Sequence, residues 1–128
     1  MEKEKNVILV VEDEAALSRA LSIKLASEGF HILSAGNGEE GLKMSLEQKP
    51  DLILLDIGMP VMNGISMLKK LREDEWGKTA RVIILTNMGD DKTILADALE
   101  NNVTEYIVKS ETSLDQVIQK AKEKLGSA

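Results

Sequence analysis

Leu52-Ile53-Leu54-Leu55-Asp56 is an unbroken apolar run that stops at a carboxylate, and Ile57-Gly58-Met59-Pro60 follows it directly. A short apolar run without alternation reads as a strand covered on both faces. Working outward, the same texture recurs at Val7-Ile8-Leu9-Val10-Val11, Val82-Ile83-Ile84-Leu85 and Tyr106-Ile107-Val108, and His31-Ile32-Leu33-Ser34-Ala35 is a fifth short run interrupted by polar residues. Longer amphipathic stretches lie after each run. Leu17, Leu21, Ile23, Leu25 and Ala26 mark the first, Leu42, Met44 and Leu46 the second, and Ile65, Leu68 and Leu71 the third. Ile94, Leu95, Ala98 and Leu99 mark the fourth, and Leu114, Val117, Ile118, Ala121 and Leu125 the fifth. Five β-then-α units in succession predict an α/β fold, with a mostly parallel sheet, helices on both faces and right-handed crossovers.

Helix punctuation agrees with this division. Asn37 with Glu40, and Ser113 with Gln116, have N-cap and capping-box spacing. Gly29 stands where a left-handed C-cap is expected, and Asn102 is suited to the same job after the fourth helix. Lys49-Pro50 is expected to close the second helix without such a cap, because the residue before proline leaves helical geometry.

The bulk properties exclude several function classes. A chain of 128 residues fits one domain with one core, here about 6–125. The formal charge of −6 argues against a nucleic-acid surface and against attraction to anionic membranes. There is no cysteine, so disulfides, thiol catalysis and thiolate metal sites are excluded. No apolar run approaches the ~20 residues of a membrane-spanning helix. The charged start, Met1-Glu2-Lys3-Glu4-Lys5, is unlike a signal peptide. A cytoplasmic location is therefore expected. No linker or second core is visible, so a stand-alone domain without an output module is expected.

The chemistry lies in what ends each run. The first ends in Glu12-Asp13, the third in Asp56, the fourth in Thr86 and the fifth in Lys109. Ligands of open parallel sheets bind outside the carboxyl ends of the strands. Three carboxylates, a hydroxyl and an ammonium are thus expected at one edge. Any one of them alone reads as the solvated start of a loop. Together the acids repel and need a cation, and magnesium suits carboxylates plus a phosphate. Lysine and threonine donate to phosphoryl oxygens, so the set describes phosphoryl transfer with one carboxylate as nucleophile.

Val10-Val11-Glu12-Asp13-Glu14, Leu54-Leu55-Asp56-Ile57-Gly58-Met59-Pro60-Val61-Met62-Asn63-Gly64, Ile84-Leu85-Thr86 and Tyr106-Ile107-Val108-Lys109 together resemble the response-regulator receiver domain of two-component signalling. The resemblance covers about Asn6 to Leu125, and its most specific part is Asp56 to Gly64. It implies a doubly wound, flavodoxin-like five-stranded sheet in the order 2-1-3-4-5. It implies Asp56 as phosphoacceptor. Glu12, Asp13, Asp56 and the Gly58 carbonyl become ligands of Mg2+ (or Mn2+). Thr86 and Lys109 would contact the phosphoryl group, and Thr86 and Tyr106 would form a switch coupled to the fourth helix, fifth strand and fifth helix. Asn87 and Met88 would control access to the site. The implied partners are a histidine kinase or histidine phosphotransfer protein and a downstream protein, with no nucleic acid and no membrane, in a monomer or weak dimer.

Three positions depart from the family pattern. Ser110 follows Lys109 where proline is usual, which puts the family's cis peptide in question. Asn87 follows Thr86 where alanine or glycine is usual, which narrows the approach to the site. Asn102 replaces a usual glycine. The chain is expected to catalyse only its own phosphorylation and dephosphorylation, and so not to be an enzyme in the ordinary sense. Two other readings compete: a degenerate receiver used only for docking, and an aspartate-nucleophile phosphohydrolase. The intact set of site residues opposes the first. The second needs a general acid two residues after Asp56, where Gly58 stands. A DNA-binding regulator lacks both basic charge and a second domain. His31, the only histidine, opens a strand away from the acids, which excludes a histidine phosphodonor. Trp76 is expected as a surface anchor over the core, and Met59 and Met62 as packing residues.

Overall fold

A computed structural model describes residues 6–57, 63–86, 96, 100–101, 103, 105–109 and 112–125. The strands are β1 (Val7–Val11), β2 (His31–Ala35), β3 (Leu52–Asp56), β4 (Val82–Thr86) and β5 (Tyr106–Val108). The helices are α1 (Ala15–Ser27), α2 (Gly38–Gln48), α3 (Gly64–Glu73) and α4 (Leu114–Lys124), with a 3-10 turn at Gly77–Thr79. Here α4 is the helix expected fifth. Ile94, Leu95, Ala98 and Leu99, the marks of the helix expected fourth, lie outside the described residues, as does Asn102. The sheet is parallel throughout, in the order β2-β1-β3-β4-β5.

Alternation across the pleat explains why the strands are apolar without a break. Leu9, Val11, Ile53, Leu55, Val82 and Ile84 pack with Met67, Leu68 and Leu71 of α3. Ile8, Val10, Leu52, Leu54, Ile83 and Leu85 pack on the other face with Leu21 and Leu25 of α1 and Val117, Ile118 and Ala121 of α4. Successive side chains point to opposite faces, so a strand with helices above and below has no polar face to show. Each such side chain contributes about 1.5–3 kcal/mol on burial. β2 is the outer strand on its side and is partly exposed.

Two caps stand where the sequence placed them: the Asn37 side chain accepts from the Glu40 N–H, and Ser113 with Gln116 forms a reciprocal capping box. A third, not expected, is Asn63, whose side chain accepts from the Ser66 N–H. Such caps are worth ~1 kcal/mol each. Gly29 takes a left-handed φ of 97°. Two expectations need correction. Lys49 does not simply leave the helix extended; it adopts a left-handed conformation, φ 47°, with its N–H on the Ser45 carbonyl. A left-handed turn ends the helix as firmly as an extended residue does, and also satisfies a terminal carbonyl. Ile23 and Ala26 do not face the core: Ile23 is 65% exposed. Leu17, Leu21 and Leu25 recur every four residues on the inner face, and Ile23 lies about 200° around from Leu21. Phe30 closes the core under α1 instead. Trp76 is half-buried against the α2–α3 side of the core, as expected of an anchor. No helix among the described residues is long and apolar enough to cross a membrane.

Candidate functional site

Register alone brings the strand ends together. Val11 sits opposite Leu55, Asp56 opposite Leu85, and Thr86 opposite Val108. Glu12, Asp56, Thr86 and Lys109 therefore end or follow four neighbouring strands. Glu12 is 2% exposed, and Asp56 and Thr86 are each 4% exposed. Asp13, one residue further along, is exposed to solvent. Glu12, Asp13 and Asp56 each offer a carboxylate oxygen within 4.8 Å of the others. The expected cluster is assembled. Gly58, Asn87 and Met88 lie outside the described residues, as do Met59, Met62 and Ser110. The peptide bonds of the described residues include no cis bond.

Each buried charge has a reason to be tolerated. Glu12 Oε2 accepts the Glu14 N–H at 3.0 Å, at the start of α1. Lys109 Nζ stands 2.7 Å from Glu12 Oε1 and 3.3 Å from Asp56 Oδ2. The ammonium thus neutralises two acids at once. Burial pushes the Glu12 carboxyl up to about 7, and the nearby Asp56 adds to this against the pull of Lys109 and the Glu14 N–H. Burial pulls Lys109 down, but Glu12 and Asp56 outweigh it and hold the ammonium above its usual value. One ammonium against three acids leaves room for a cation. Three hard oxygen donors at this spacing fit a divalent metal such as magnesium. A cleft of about 460 Å³ opens at the acids, lined by residues including Glu12, Asp13, Ser18, Arg19 and Glu40.

The raised Glu12 value fixes a pH dependence. Glu12 titrates near 4.5 when unfolded and about 7 when folded. Its stabilising contribution is complete below the lower value and is lost as pH rises through the upper one. Metal-free protein is expected to be more stable at pH 5 than at pH 8, by on the order of 2 kcal/mol. Glu12→Gln should flatten that difference. Urea unfolding in chelator at both pH values measures it, and a wild type that is less stable at pH 5 refutes it.

A sequence model of the response regulator receiver domain matches residues 8–122. The chain belongs to that family. Similar proteins agree with the assignment. Relatives include the transcriptional regulatory protein SrrA of Staphylococcus aureus, 38% identical over 81% of this chain and 42% of its own length. Another is the transcriptional regulatory protein AfsQ1 of Streptomyces coelicolor, 34% identical over 80% of this chain and 44% of its own. The chain spans less than half the length of these relatives. Among solved structures, the response regulator TrrA of Thermotoga maritima, in complex with Mg2+-BeF, is 34% identical with a TM-score of 0.80, covering 93% of this chain and 98% of its own. A CheY-like receiver domain protein of Methanospirillum hungatei has a TM-score of 0.87 at 26% identity, covering 96% of this chain and 95% of that one.

Within this receiver, sequence reasoning missed Arg72. Its Nε donates to the Asn101 carbonyl at 2.8 Å, and Nη1 donates to the Gly77 and Ala80 carbonyls at 2.7 and 2.8 Å. A lone arginine near a helix end carries no motif, so nothing in the sequence points to it. Tyr106, assigned to the switch, is 47% exposed on β5.

Proposed function

We propose that Asp56 accepts a phosphoryl group from a histidine kinase or histidine phosphotransfer protein and that the chain thereby acts as a signalling switch. The observation that carries this reading is the nearly buried Asp56 clustered with Glu12 and Asp13, with the Lys109 ammonium 3.3 Å from its Oδ2. An Asp56 oxygen attacks phosphorus, the bond from phosphorus to the donor nitrogen breaks, and the imidazole leaves with the electron pair. The product is an acyl phosphate. Glu12, Asp13, Asp56 and the Gly58 carbonyl are the proposed metal ligands, with Asp13 the stronger of the acidic pair because Glu12 already holds Lys109 and the Glu14 N–H. A bound Mg2+ (or Mn2+) supplies positive charge against the phosphoryl oxygens. Lys109 exchanges a carboxylate for a phosphoryl oxygen, and the Thr86 hydroxyl donates to another. Asn87 and Met88 are proposed to set access for the donor and for hydrolytic water.

Acetyl phosphate with magnesium is expected to add one phosphoryl group by intact-mass spectrometry, and none in chelator. Equal modification with and without the metal would sink the reading. The phosphohydrolase reading has no acid at Gly58 to protonate an alcohol leaving group. An acidic chain of one domain, acting in the cytoplasm as a monomer or weak dimer, fits a protein target rather than nucleic acid. Any DNA contact of the kind its relatives' names imply would fall to segments beyond the matched stretch.

The switch is a population shift in which Thr86 moves toward the phosphate and Tyr106 takes a more buried position. Amide spectra with magnesium and beryllofluoride are expected to move near Tyr106 as well as near Asp56. Shifts confined to Asp56 and its neighbours would refute the coupling.

A further inference from the structure

Arg72 joins three backbone segments at the edge of the sheet opposite the acids. Its guanidinium fork spans the turn that leads into β4, at Gly77 and Ala80, and the chain that leads into β5, at Asn101. Burial lowers its proton affinity, as expected of a cation drawn from water to serve these carbonyls. The strand it helps to hold is weak by itself. β5 is three residues long, lies at the sheet edge and, among the described residues, pairs with β4 alone. So short a strand has a shallow hold on its register. Val103, 2% exposed, packs with Leu71, Ala80 and Val82, and supplies the apolar half of the same fastening. Lys109 is the residue immediately after β5, and its Nζ must reach Asp56 across β4 and Glu12 across both β4 and β3.

We infer that Arg72 is a positioning residue for Lys109: by tying the lead-in of β5 to that of β4, it sets where the ammonium stands in the acid cluster. The role rests on the phosphoacceptor reading above. It extends the site's support to a residue at the far end of the strands, where the chain leads into β4 and β5. Displacements of order 1 Å at a reacting group are costly, so a small slip of β5 is enough to matter.

A double-mutant cycle on beryllofluoride binding at saturating magnesium tests it, with circular dichroism confirming that each variant is folded. Arg72→Gln is expected to weaken binding about tenfold when Lys109 is present. In the Lys109→Ala background it is expected to weaken binding less than about twofold, because the group it positions is gone. Arg72→Lys keeps the cation without the fork, and should weaken binding about threefold with the same dependence on Lys109; it carries the test if the glutamine variant does not fold. Equal weakening in both backgrounds overturns the role and leaves Arg72 a support of the fold alone. A folded wild type that fails to bind beryllofluoride overturns the phosphoacceptor reading, and this role with it.

Discussion

Acetyl phosphate is expected to add no mass to the Asp56→Ala protein, while the variant's urea midpoint in chelator stays at or above that of wild type. The two halves have one cause. Asp56 is the carboxylate at the end of β3, nearly buried and 3.3 Å from Lys109. Glu12 already engages Lys109 at the shorter distance of 2.7 Å. Removing Asp56 leaves one ammonium facing one buried carboxylate, with no unpaired charge behind. It also removes the repulsion that helps raise Glu12. A carboxylate held among other acids without a neutralising cation costs stability, so its loss is expected to be tolerated. Modification of the alanine variant to the wild-type extent would remove Asp56 as acceptor. A large fall in its stability would instead make Asp56 part of the frame.

The sequence announced the sheet because β1, β3 and β4 pack against helices on both faces, and strands covered on both faces must be apolar. Leu52–Asp56 and Val82–Thr86 are buried at every residue, and both were legible as strands. The acids were legible for a related reason: a carboxylate that interrupts an apolar run at its carboxyl end has one place to go. The helix faces were less so. Ile23 satisfied a loose apolar count yet points outward, since only strict four-residue recurrence through Leu17, Leu21 and Leu25 follows one face. Lys49 was legible as a helix end but not as left-handed, because proline constrains what it forbids more than what it selects. Arg72 was not legible at all. Its partners are backbone carbonyls at Gly77, Ala80 and Asn101, and a carbonyl is the same in every residue. The pairing of Lys109 with Glu12 rather than chiefly with Asp56 is likewise a matter of distance, which spacing along the chain does not encode.

Gly64→Ala is expected to damage both fold and site, although it adds one methyl group to a helix start. Gly64 opens α3, and its N–H reaches the Ile57 carbonyl at 3.3 Å. A Cβ there would lie 2.6 Å from the Asp56 carbonyl oxygen and 2.6 Å from Ile57 Cα. Both are backbone atoms of the segment that carries Asp56, so no side-chain rotation relieves the clash. Either α3 retreats from the sheet or the end of β3 shifts. The first loosens Met67 and Leu68, which are fully buried. The second displaces Asp56 relative to Glu12 and Lys109. Overpacking of this kind costs about 1–3 kcal/mol. A displaced nucleophile slows acyl phosphate formation about tenfold or more. Gly36→Ala is the matched control: nothing lies within 4 Å of its Cβ position, and its φ is outside the left-handed range. That variant should stay within about 1 kcal/mol of wild type and keep its phosphorylation rate. Urea unfolding and the rate of mass gain from acetyl phosphate, measured on both variants, separate the two cases. If Gly64→Ala matches Gly36→Ala in both measurements, the close approach of α3 to the Asp56 backbone is not a constraint on the site.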